Sequence, residues 1–373
     1  MLADNPRMVD IVPEKARKGR GAISNPVGRF EPAQRFATDD GWQAQSGDEG
    51  EDEDGAPPVR TTVMRDATRS VLNRNDSPDV PFDRSINPYR GCEHGCIYCF
   101  ARPSHAYLGL STGLDFETKI LIKPDAPRLL ANELARPSYK PAIIALGTNT
   151  DPYQPLEREL KITRGIFEVL ASFNHPFSLV TKSALVIRDL DIIAPLAKKD
   201  LVRVFVSVTT LDRHLANKME PRASTPARRL AAIKALNEAG VPTGVMAAPM
   251  IPALNDDELE AILEAAKEAG ARSAGYTLLR LPFEIKDLFG EWLEEHAPLK
   301  AKHVLNLIRE TRGGRLNDPN FVSRMRGQGP YAELLRKRFR IACTRLGLDK
   351  NDWNPDLSLF AVPPRPGDQL KLL

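Results

Sequence analysis

Three of the four cysteines in this chain lie within eight positions, in the segment GCEHGCIYCFAR. Cys92, Cys96 and Cys99 follow a C-x3-C-x2-C spacing, whereas Cys343 lies far along the chain. Closely spaced cysteine thiols form a disulfide, bind a metal ion or hold an iron–sulfur cluster. This spacing is far more specific than a single C-x2-C pair, and it predicts a metal centre on one short loop.

The residue types alone leave two metal chemistries open at this loop. A structural Zn²⁺ site needs four ligands, so His94 or His105 would have to complete the set that the three cysteines begin. A 4Fe–4S cluster held by three cysteines would instead leave one iron open to a ligand from outside the protein. Either histidine could also lie beside the centre, or at the surface, without binding a metal.

The composition bears on the disulfide alternative. Charged residues make up 27% of the chain, as in soluble globular proteins, and no apolar run is long enough to span a bilayer. The first twenty residues lack the apolar core of a signal peptide. We therefore expect a cytoplasmic protein with no membrane partner, in which the thiols stay reduced and a disulfide is disfavoured.

Charge is unevenly distributed along the chain. The run SGDEGEDEDG (46–55) holds six acidic residues, and residues 1–58 are polar without sustained periodicity. We predict that 1–58 is disordered or loosely docked, although ISNPVGRFEP could still lie on the body. Residues 301–350 hold twelve Lys or Arg and four acidic residues, which suggests an anionic partner such as nucleic acid. The alternative is a basic helix from Tyr331 to Gly347 that closes the open side of a barrel.

Short apolar strands alternate with amphipathic helices after the cysteine loop, and one of these helices is predicted over LERELKITRGIFEVLASF (156–173). The predicted strands are 141–147, 177–183, 201–209, 242–250 and 271–281, with one more before the loop and an extra strand at 117–123. Six strand–helix units predict an α/β parallel sheet or a partial barrel, short of the eight units of a full one. We assign 59–284 to this core and 285–373 to a helical, basic extension that starts with a long helical stretch over about 285–311.

The carboxyl ends of parallel strands carry the site in such folds. Polar residues gather at these ends: Thr148 to Asp151, Thr181 to Ser183, Ser207 to Asp212, and Ala248 to Ile251. We expect these segments to surround the metal centre.

With Tyr98 before its last cysteine, the loop resembles that of the radical S-adenosylmethionine (SAM) enzymes. The resemblance implies a partial (β/α)6 TIM-like barrel in which Cys92, Cys96 and Cys99 hold a 4Fe–4S cluster and SAM binds the fourth iron. It also implies a flavodoxin- or ferredoxin-like electron donor. In that superfamily, one electron from the cluster cleaves SAM, and the resulting 5′-deoxyadenosyl radical abstracts a hydrogen atom from the substrate.

Residues 85–255 resemble spore photoproduct lyase and its uncharacterised bacterial relatives more closely. The matching segments, in order, are TNTDPYQP (148–155), VTKS with Lys182, VSVTTLD with Ser207, MEPRASTPARR with Glu220, and MAAPMIP with Pro249. The resemblance implies that Thr150, Lys182 and Ser207 contact SAM, and it marks Asp151, Glu220 and Pro249 as further candidates for the cofactor site. A Lys at a strand end is a suitable partner for the SAM carboxylate.

Two departures from the lyases put thymine-dimer repair in doubt. The stretch IALGTNTD has no cysteine, where the lyases place the thiol that donates a hydrogen atom. Phe100 stands where they have a tyrosine directly after the third cluster cysteine. We therefore predict a lyase-like radical SAM enzyme of the uncharacterised branch, with nucleic acid as the first candidate substrate. Radical modification of a protein or small molecule is one alternative, and a Zn-stabilised nucleic-acid-binding module without catalysis is another.

Several residues also have purely structural interpretations. Asp151 could start a turn, Glu157 a helix, and Glu220 or Arg222 could cap one. Cys343 lies at helical spacing among apolar residues, as a buried small hydrophobic side chain would.

Overall fold

The computed structural model describes residues 16–31, 59–349 and 353–364. Its strands are β1 (Thr62–Arg65), β2 (Asn73–Arg74), β3 (Arg84–Ile86), β4 (Tyr89–Arg90), β5 (Lys119–Ile122), β6 (Ile144–Leu146), β7 (Phe177–Thr181), β8 (Val202–Ser207), β9 (Thr243–Met250) and β10 (Ser273–Leu278).

The α-helices are α1 (Leu114–Thr118), α2 (Ala126–Leu134), α3 (Glu157–Leu160), α4 (Ile162–Ser172), α5 (Leu190–Ala197), α6 (Arg213–Met219), α7 (Pro226–Glu238), α8 (Leu259–Glu268), α9 (Ile285–His296), α10 (Pro298–Glu310), α11 (Ser323–Arg326) and α12 (Gly329–Leu346). Short 3-10 helices cover Arg102–Leu108, Ala184–Asp189, Asp256–Glu258 and Leu357–Leu359. None of the helices in the described ranges is long and apolar enough to cross a membrane.

The main sheet has seven strands in the order β10-β9-β8-β7-β6-β3-β2. Its six strands from β3 to β10 run parallel, and β2 pairs antiparallel with β3 at one edge. Each parallel strand is followed by helical connections, which confirms the predicted partial barrel of six units. All six carboxyl ends therefore meet at one edge of the sheet.

Strand β8 shows why these segments form a parallel sheet. Val202, Val204 and Val206 are fully buried against the helices on one side. β-branched residues fit the pleated surface, and burial of each such side chain stabilises the fold by roughly 1.5–3 kcal/mol. The predicted extra strand lies apart, since β5 pairs with β1 and β4 in a separate three-stranded sheet.

Two predicted helices are broken in the structure. The stretch 156–173 divides into α3 and α4 at Lys161, which has a left-handed backbone with φ 51°. The stretch 285–311 divides into α9 and α10 because Pro298, which has no amide hydrogen to donate, opens a new helix after Ala297.

Helix α12 covers the open side of the barrel next to β10. Its Phe339 ring lies 4.6 Å from the Tyr276 ring of β10, and Arg338 Nε donates to Glu260 Oε1 of α8 at 2.8 Å. Cys343 is buried in this helix with 3% of its surface exposed, as expected for a small apolar side chain. The helix ends at Gly347, which adopts the left-handed conformation common after a helix.

Residues 16–31 lie across the cysteine loop and are called the strap below. The backbone amides of Gly21 and Ala22 donate to the two carboxylate oxygens of Glu117, at 3.0 and 2.8 Å. Gly21 cannot carry a side chain, because a Cβ there would lie 1.8 Å from the carbonyl oxygen of Gly95. The acidic run at 46–55 and the rest of the predicted disordered segment lie outside the described residues. The proposed division at 58 and 284 stays a prediction.

Candidate functional site

The cysteine loop follows β3 of the main sheet and β4 of the three-stranded sheet, and it is held by backbone contacts. The Cys92 amide donates to the Phe116 carbonyl at 2.9 Å, and the Ile97 amide donates to the Met219 carbonyl at 3.0 Å. These bonds tie the loop to α1 on one side and to α6 on the other. The positions of the three cysteines are therefore fixed by the surrounding protein.

A buried ion pair supports the loop from below. Arg102 and Glu117 are both fully buried and paired. Arg102 also donates to the carbonyls of Cys96, from Nε at 2.9 Å, and Gly95, from Nη2 at 3.2 Å. Sequence reasoning missed this pair: Arg102 ends the segment GCEHGCIYCFAR, but nothing in the sequence indicates that its side chain is buried against Glu117.

The three cysteine side chains are free of disulfides. Cys92 and Cys96 are buried and Cys99 is partly exposed. Burial raises the pKa of the Cys92 and Cys96 thiols above the usual value, so a bound cation is needed to hold them as thiolates. Three free thiols on one rigid loop fit an iron–sulfur cluster by the chemistry of their donors.

The two nearby histidines have other partners. His94 Nδ1 lies 3.3 Å from Asp151 Oδ2, and His105 Nε2 lies 2.9 Å from the Lys119 carbonyl. Within the described ranges, no three His, Cys, Asp or Glu side chains are arranged to hold a single metal ion. In this structure one ring nitrogen of each histidine is therefore engaged by a group other than a cysteine.

A cavity of about 220 Å³ opens at the carboxyl ends of the parallel strands. It brings together five of the residues that were predicted to hold the cluster or to form the SAM site, namely Cys96, Cys99, Lys182, Ser207 and Pro249. Its other described lining residues are Tyr98, Phe100, Gly147, Val180, Met246, Ala248, Thr277, Leu278, Leu279, Arg280 and Met325. The cavity is thus mainly apolar, with Lys182 and Arg280 as cations.

Glycine is required where β6 and β7 meet at the cavity. Gly147 has φ 81°, and a Cβ there would lie 2.0 Å from the Val180 carbonyl oxygen. Two residues after Val180, the side chain of Lys182 lines the same cavity. Its Nζ lies 5.7 Å from the centre of the Tyr98 ring. This contact places a positive charge beside the cysteine loop.

Asp151 and Thr150 lie behind the cavity wall. Asp151 accepts hydrogen bonds from the Thr181 hydroxyl and from the Lys182 amide, both at 2.7 Å. Burial alone would raise the pKa of Asp151, but the charge and hydrogen bond of His94, with the Lys182 amide, lower it to about 2. The Thr150 hydroxyl donates to the Tyr89 carbonyl at 3.0 Å. The Asp151 and Thr150 side chains therefore hold the backbone of the cavity wall in place.

Glu220 supports the opposite wall. Its carboxylate accepts the Thr209 hydroxyl at 2.6 Å and is also bonded to Tyr98 and Arg229. Arg229 in turn donates to the Ser207 carbonyl at 3.2 Å. This buried network connects two cavity residues, Tyr98 and Ser207, through one carboxylate. The sequence singled out Glu220, and Thr209 and Arg229 lie in segments that it also singled out, but it did not indicate that their side chains pair with Glu220.

Other residues of the TNTDPYQP segment also hold the loop. Gln154 accepts the Glu93 amide at 2.9 Å, and Glu93 accepts the Leu156 amide at 2.9 Å. Glu157 begins α3 and is buried, with its Oε1 2.8 Å from Arg188. Arg222 lies 3.1 Å from Glu93. These residues act on the loop's position and do not line the cavity.

Comparison with known proteins gives consistent results. The family model described as the radical SAM superfamily matches residues 86–266. An uncharacterised protein of Mycobacterium tuberculosis is 37% identical over 300 residues, which is 79% of this chain and 84% of that protein. One from Methanocaldococcus jannaschii is 28% identical over 196 residues, covering 52% and 70% of the two chains.

Among solved structures, the fold is similar to that of spore photoproduct lyase with bound AdoMet and dinucleoside spore photoproduct. The TM-score is 0.54 at 15% identity, with 76% of this chain and 78% of that chain covered. At this identity the similarity concerns the fold alone.

Proposed function

Because this chain belongs to the radical SAM superfamily, we propose that Cys92, Cys96 and Cys99 hold a [4Fe–4S] cluster beside a SAM site at Lys182 and Ser207. When bound, the cluster would supply one electron to SAM, and the pair would supply the radical chemistry for hydrogen abstraction from a substrate. The electron comes from a flavodoxin- or ferredoxin-like donor. The remaining steps of binding and orientation depend on this chain's own residues.

One observation carries the proposal. Cys96 and Cys99 line the same cavity as Lys182, at the edge where six parallel strands end. The Lys182 ammonium, beside Tyr98, suits a carboxylate such as that of SAM. Asp151 fixes the backbone of Lys182, and Glu220 fixes Tyr98, so both are positioning residues in this proposal.

The cavity wall also restricts water. Phe100, Met246 and Met325 contribute apolar surface, and apolar side chains around a cluster tune its potential and exclude solvent. Phe100 is 48% exposed, so it stands at the mouth. It has no hydroxyl hydrogen to give to a substrate radical.

The basic carboxyl-terminal segment supports a nucleic-acid substrate less than its charge count suggests. Arg338 pairs with Glu260, Arg345 with Glu264 and Arg324 with Asp79, so these charges serve the fold. Met325 of the same segment lines the cavity. Because this segment forms part of the cavity wall, it favours the second candidate substrate, which is a small molecule or a single residue of a protein. A nucleic acid would have to place one unstacked nucleotide in the cavity.

Cluster-dependent SAM cleavage tests the main proposal. The protein is purified without oxygen, reconstituted with iron and sulfide, and reduced with dithionite in the presence of SAM, and 5′-deoxyadenosine is measured by chromatography. We expect the product with the wild type and its loss with Cys96→Ala. Cys343→Ala is the matched control, since this buried cysteine lies in α12 outside the cavity. A protein that binds one Zn²⁺ and no cluster would contradict the proposal.

Retention on immobilised single-stranded DNA and RNA tests the substrate class. A nucleic-acid substrate predicts retention at low salt that decreases steeply as salt rises. If the protein is not retained at low salt, nucleic acid is rejected as the substrate, and a small molecule or a single residue of a protein remains the candidate.

A further inference from the structure

Arg280 is a cation without an anionic partner at the mouth of the cavity. It follows β10, and its Nη1 lies 3.4 Å from the Met325 sulfur. Its guanidinium carbon lies 5.4 Å from the centre of the Phe100 ring. Its Nε is buried and has no hydrogen-bond partner. Buried polar atoms such as this Nε normally have a hydrogen-bond partner, so this arrangement needs an explanation.

The neighbouring charges increase the need for an anion. Arg324 and Arg312 are the nearby cations, and Asp79 is the nearby carboxylate. Asp79 is ion-paired with Arg324 and also accepts the Val322 amide. Among the described residues, no carboxylate pairs with Arg280, and none of the cavity lining is acidic.

The position of Arg280 is fixed in advance. Arg312 donates to the carbonyls of Leu278 and Leu279, at 3.1 and 2.7 Å, directly before Arg280. It also donates to the carbonyls of Ser323 and Arg324, both at 2.8 Å. Arg312 therefore joins the end of β10 to the segment that carries Met325. A rigid, partly desolvated arginine binds an oxyanion with little loss of conformational freedom.

Lys182 and Arg280 are the two cations of the cavity, and SAM carries one carboxylate. We propose that Arg280 binds an oxyanion of the substrate, a phosphate or a carboxylate, while Phe100 and Met325 pack against the adjacent apolar or planar part. This inference rests on the proposed function, since it assigns Lys182 to SAM. It gives the substrate class as an anionic molecule or residue with an apolar portion next to its charge.

Calorimetric titration of the reconstituted protein, with SAM present, tests the inference. The probes are uridine 5′-monophosphate, succinate and, as the uncharged reference, uridine. We expect the wild type to bind at least one anionic probe more tightly than uridine, and Arg280→Gln to weaken that binding about tenfold or more. Arg326→Gln is the matched control, because Arg326 is an exposed arginine of α11, directly after Met325. Phosphate-only or carboxylate-only binding identifies the source of the oxyanion.

Three outcomes of the anion titration would overturn the inference. These are binding of neither anion by the wild type, equal binding by Arg280→Gln, and loss of the same size with Arg326→Gln. SAM is titrated separately into Lys182→Gln and Arg280→Gln. Loss of SAM affinity with Arg280→Gln alone would assign Arg280 to SAM and also overturn the inference. If neither the wild type nor the variants bind SAM, the proposed function fails. In that case the anion titration, repeated without SAM, still decides whether Arg280 binds an oxyanion.

Discussion

The Asp151 carboxylate accepts the backbone amide of Lys182 at 2.7 Å, so the ends of β6 and β7 are joined directly beneath the Lys182 side chain. The same carboxylate takes the Thr181 hydroxyl and lies 3.3 Å from His94 of the cysteine loop. One buried anion thus sets the distance between the cysteine loop and the lysine that faces the cavity.

Substitution Asp151→Asn should therefore destabilise the protein. The Asn side chain can accept hydrogen bonds only at its single amide oxygen, so at least one of these donors loses its acceptor, which we expect to lower the free energy of unfolding by about 1–3 kcal/mol. Urea unfolding of the variant and the wild type measures this. The exposed Asp257→Asn should stay within about 0.5 kcal/mol. A similarly small change for Asp151→Asn would show that the carboxylate does not hold the wall.

Loss of the Lys182 charge should weaken SAM binding without unfolding the chain. We expect Lys182→Met to raise the Kd for SAM about tenfold to a hundredfold, because a charge-assisted hydrogen bond to a carboxylate is lost. Equilibrium dialysis with labelled SAM gives the Kd. Lys198→Met, at an exposed lysine, is the control. Unchanged affinity in the Lys182 variant would remove this residue from the SAM site.

The pair Arg102–Glu117 should decide whether the loop can take up iron. Arg102→Met leaves the buried Glu117 unpaired and frees the carbonyls of Gly95 and Cys96. We expect a cost of about 3–5 kcal/mol and a marked drop in iron and sulfide per chain after reconstitution. Arg128→Met is the control, since Arg128 is exposed and lies 3.4 Å from Asp125. If the Arg102 variant takes up as much iron as the wild type, the Arg102–Glu117 pair is not needed to hold the cysteine loop in place.

His175 should make the fold less stable in mild acid. It is fully buried between the Tyr139 hydroxyl, at 2.7 Å, and the Pro176 carbonyl, at 2.9 Å. Burial lowers the pKa of His175 to about 4, from 6.5 in the unfolded chain. Below pH 6.5 the unfolded chain binds a proton that the folded protein does not, so stability falls between pH 6.5 and about 4.

The expected contribution of His175 at pH 5 is a loss of about 2 kcal/mol relative to pH 7. Urea unfolding at both pH values should show a smaller difference for His175→Asn than for the wild type. The exposed His303→Asn should behave like the wild type. An identical pH dependence in all three proteins would contradict the assignment.

The six parallel strands and the cavity residues Lys182, Ser207 and Pro249 were predictable from the sequence. Strand patterns and strand ends are local, and parallel strands collect their carboxyl ends at one edge whatever the side-chain packing is. The cysteine spacing is local as well. Local patterns therefore led to residues that line one cavity.

The supporting residues depended on contacts between distant segments. Arg280, Met325 and Phe100 meet only because three separate segments converge. Arg280 stands near the end of the predicted strand 271–281, but the sequence does not show that Met325 and Phe100 lie beside it. The break between α3 and α4 was hidden, because Lys161 interrupts the helix with a positive φ while the apolar periodicity continues. Arg102 and Arg229 were missed because an arginine is usually exposed, and only the fold shows which ones are buried.

The strap has a consequence for the order in which the molecule is assembled. Gly21 and Ala22 leave the ribosome long before Glu117, their partner 96 and 95 positions later. The strap is therefore synthesised first, but it cannot dock until the cysteine loop and α1 have formed. Such a contact forms late, because closing a long chain segment costs entropy before the contact can repay it. A chain truncated to begin at Arg60 would keep every strand of the barrel, yet the carboxylate that pairs with Arg102 would lose both amides that cover it.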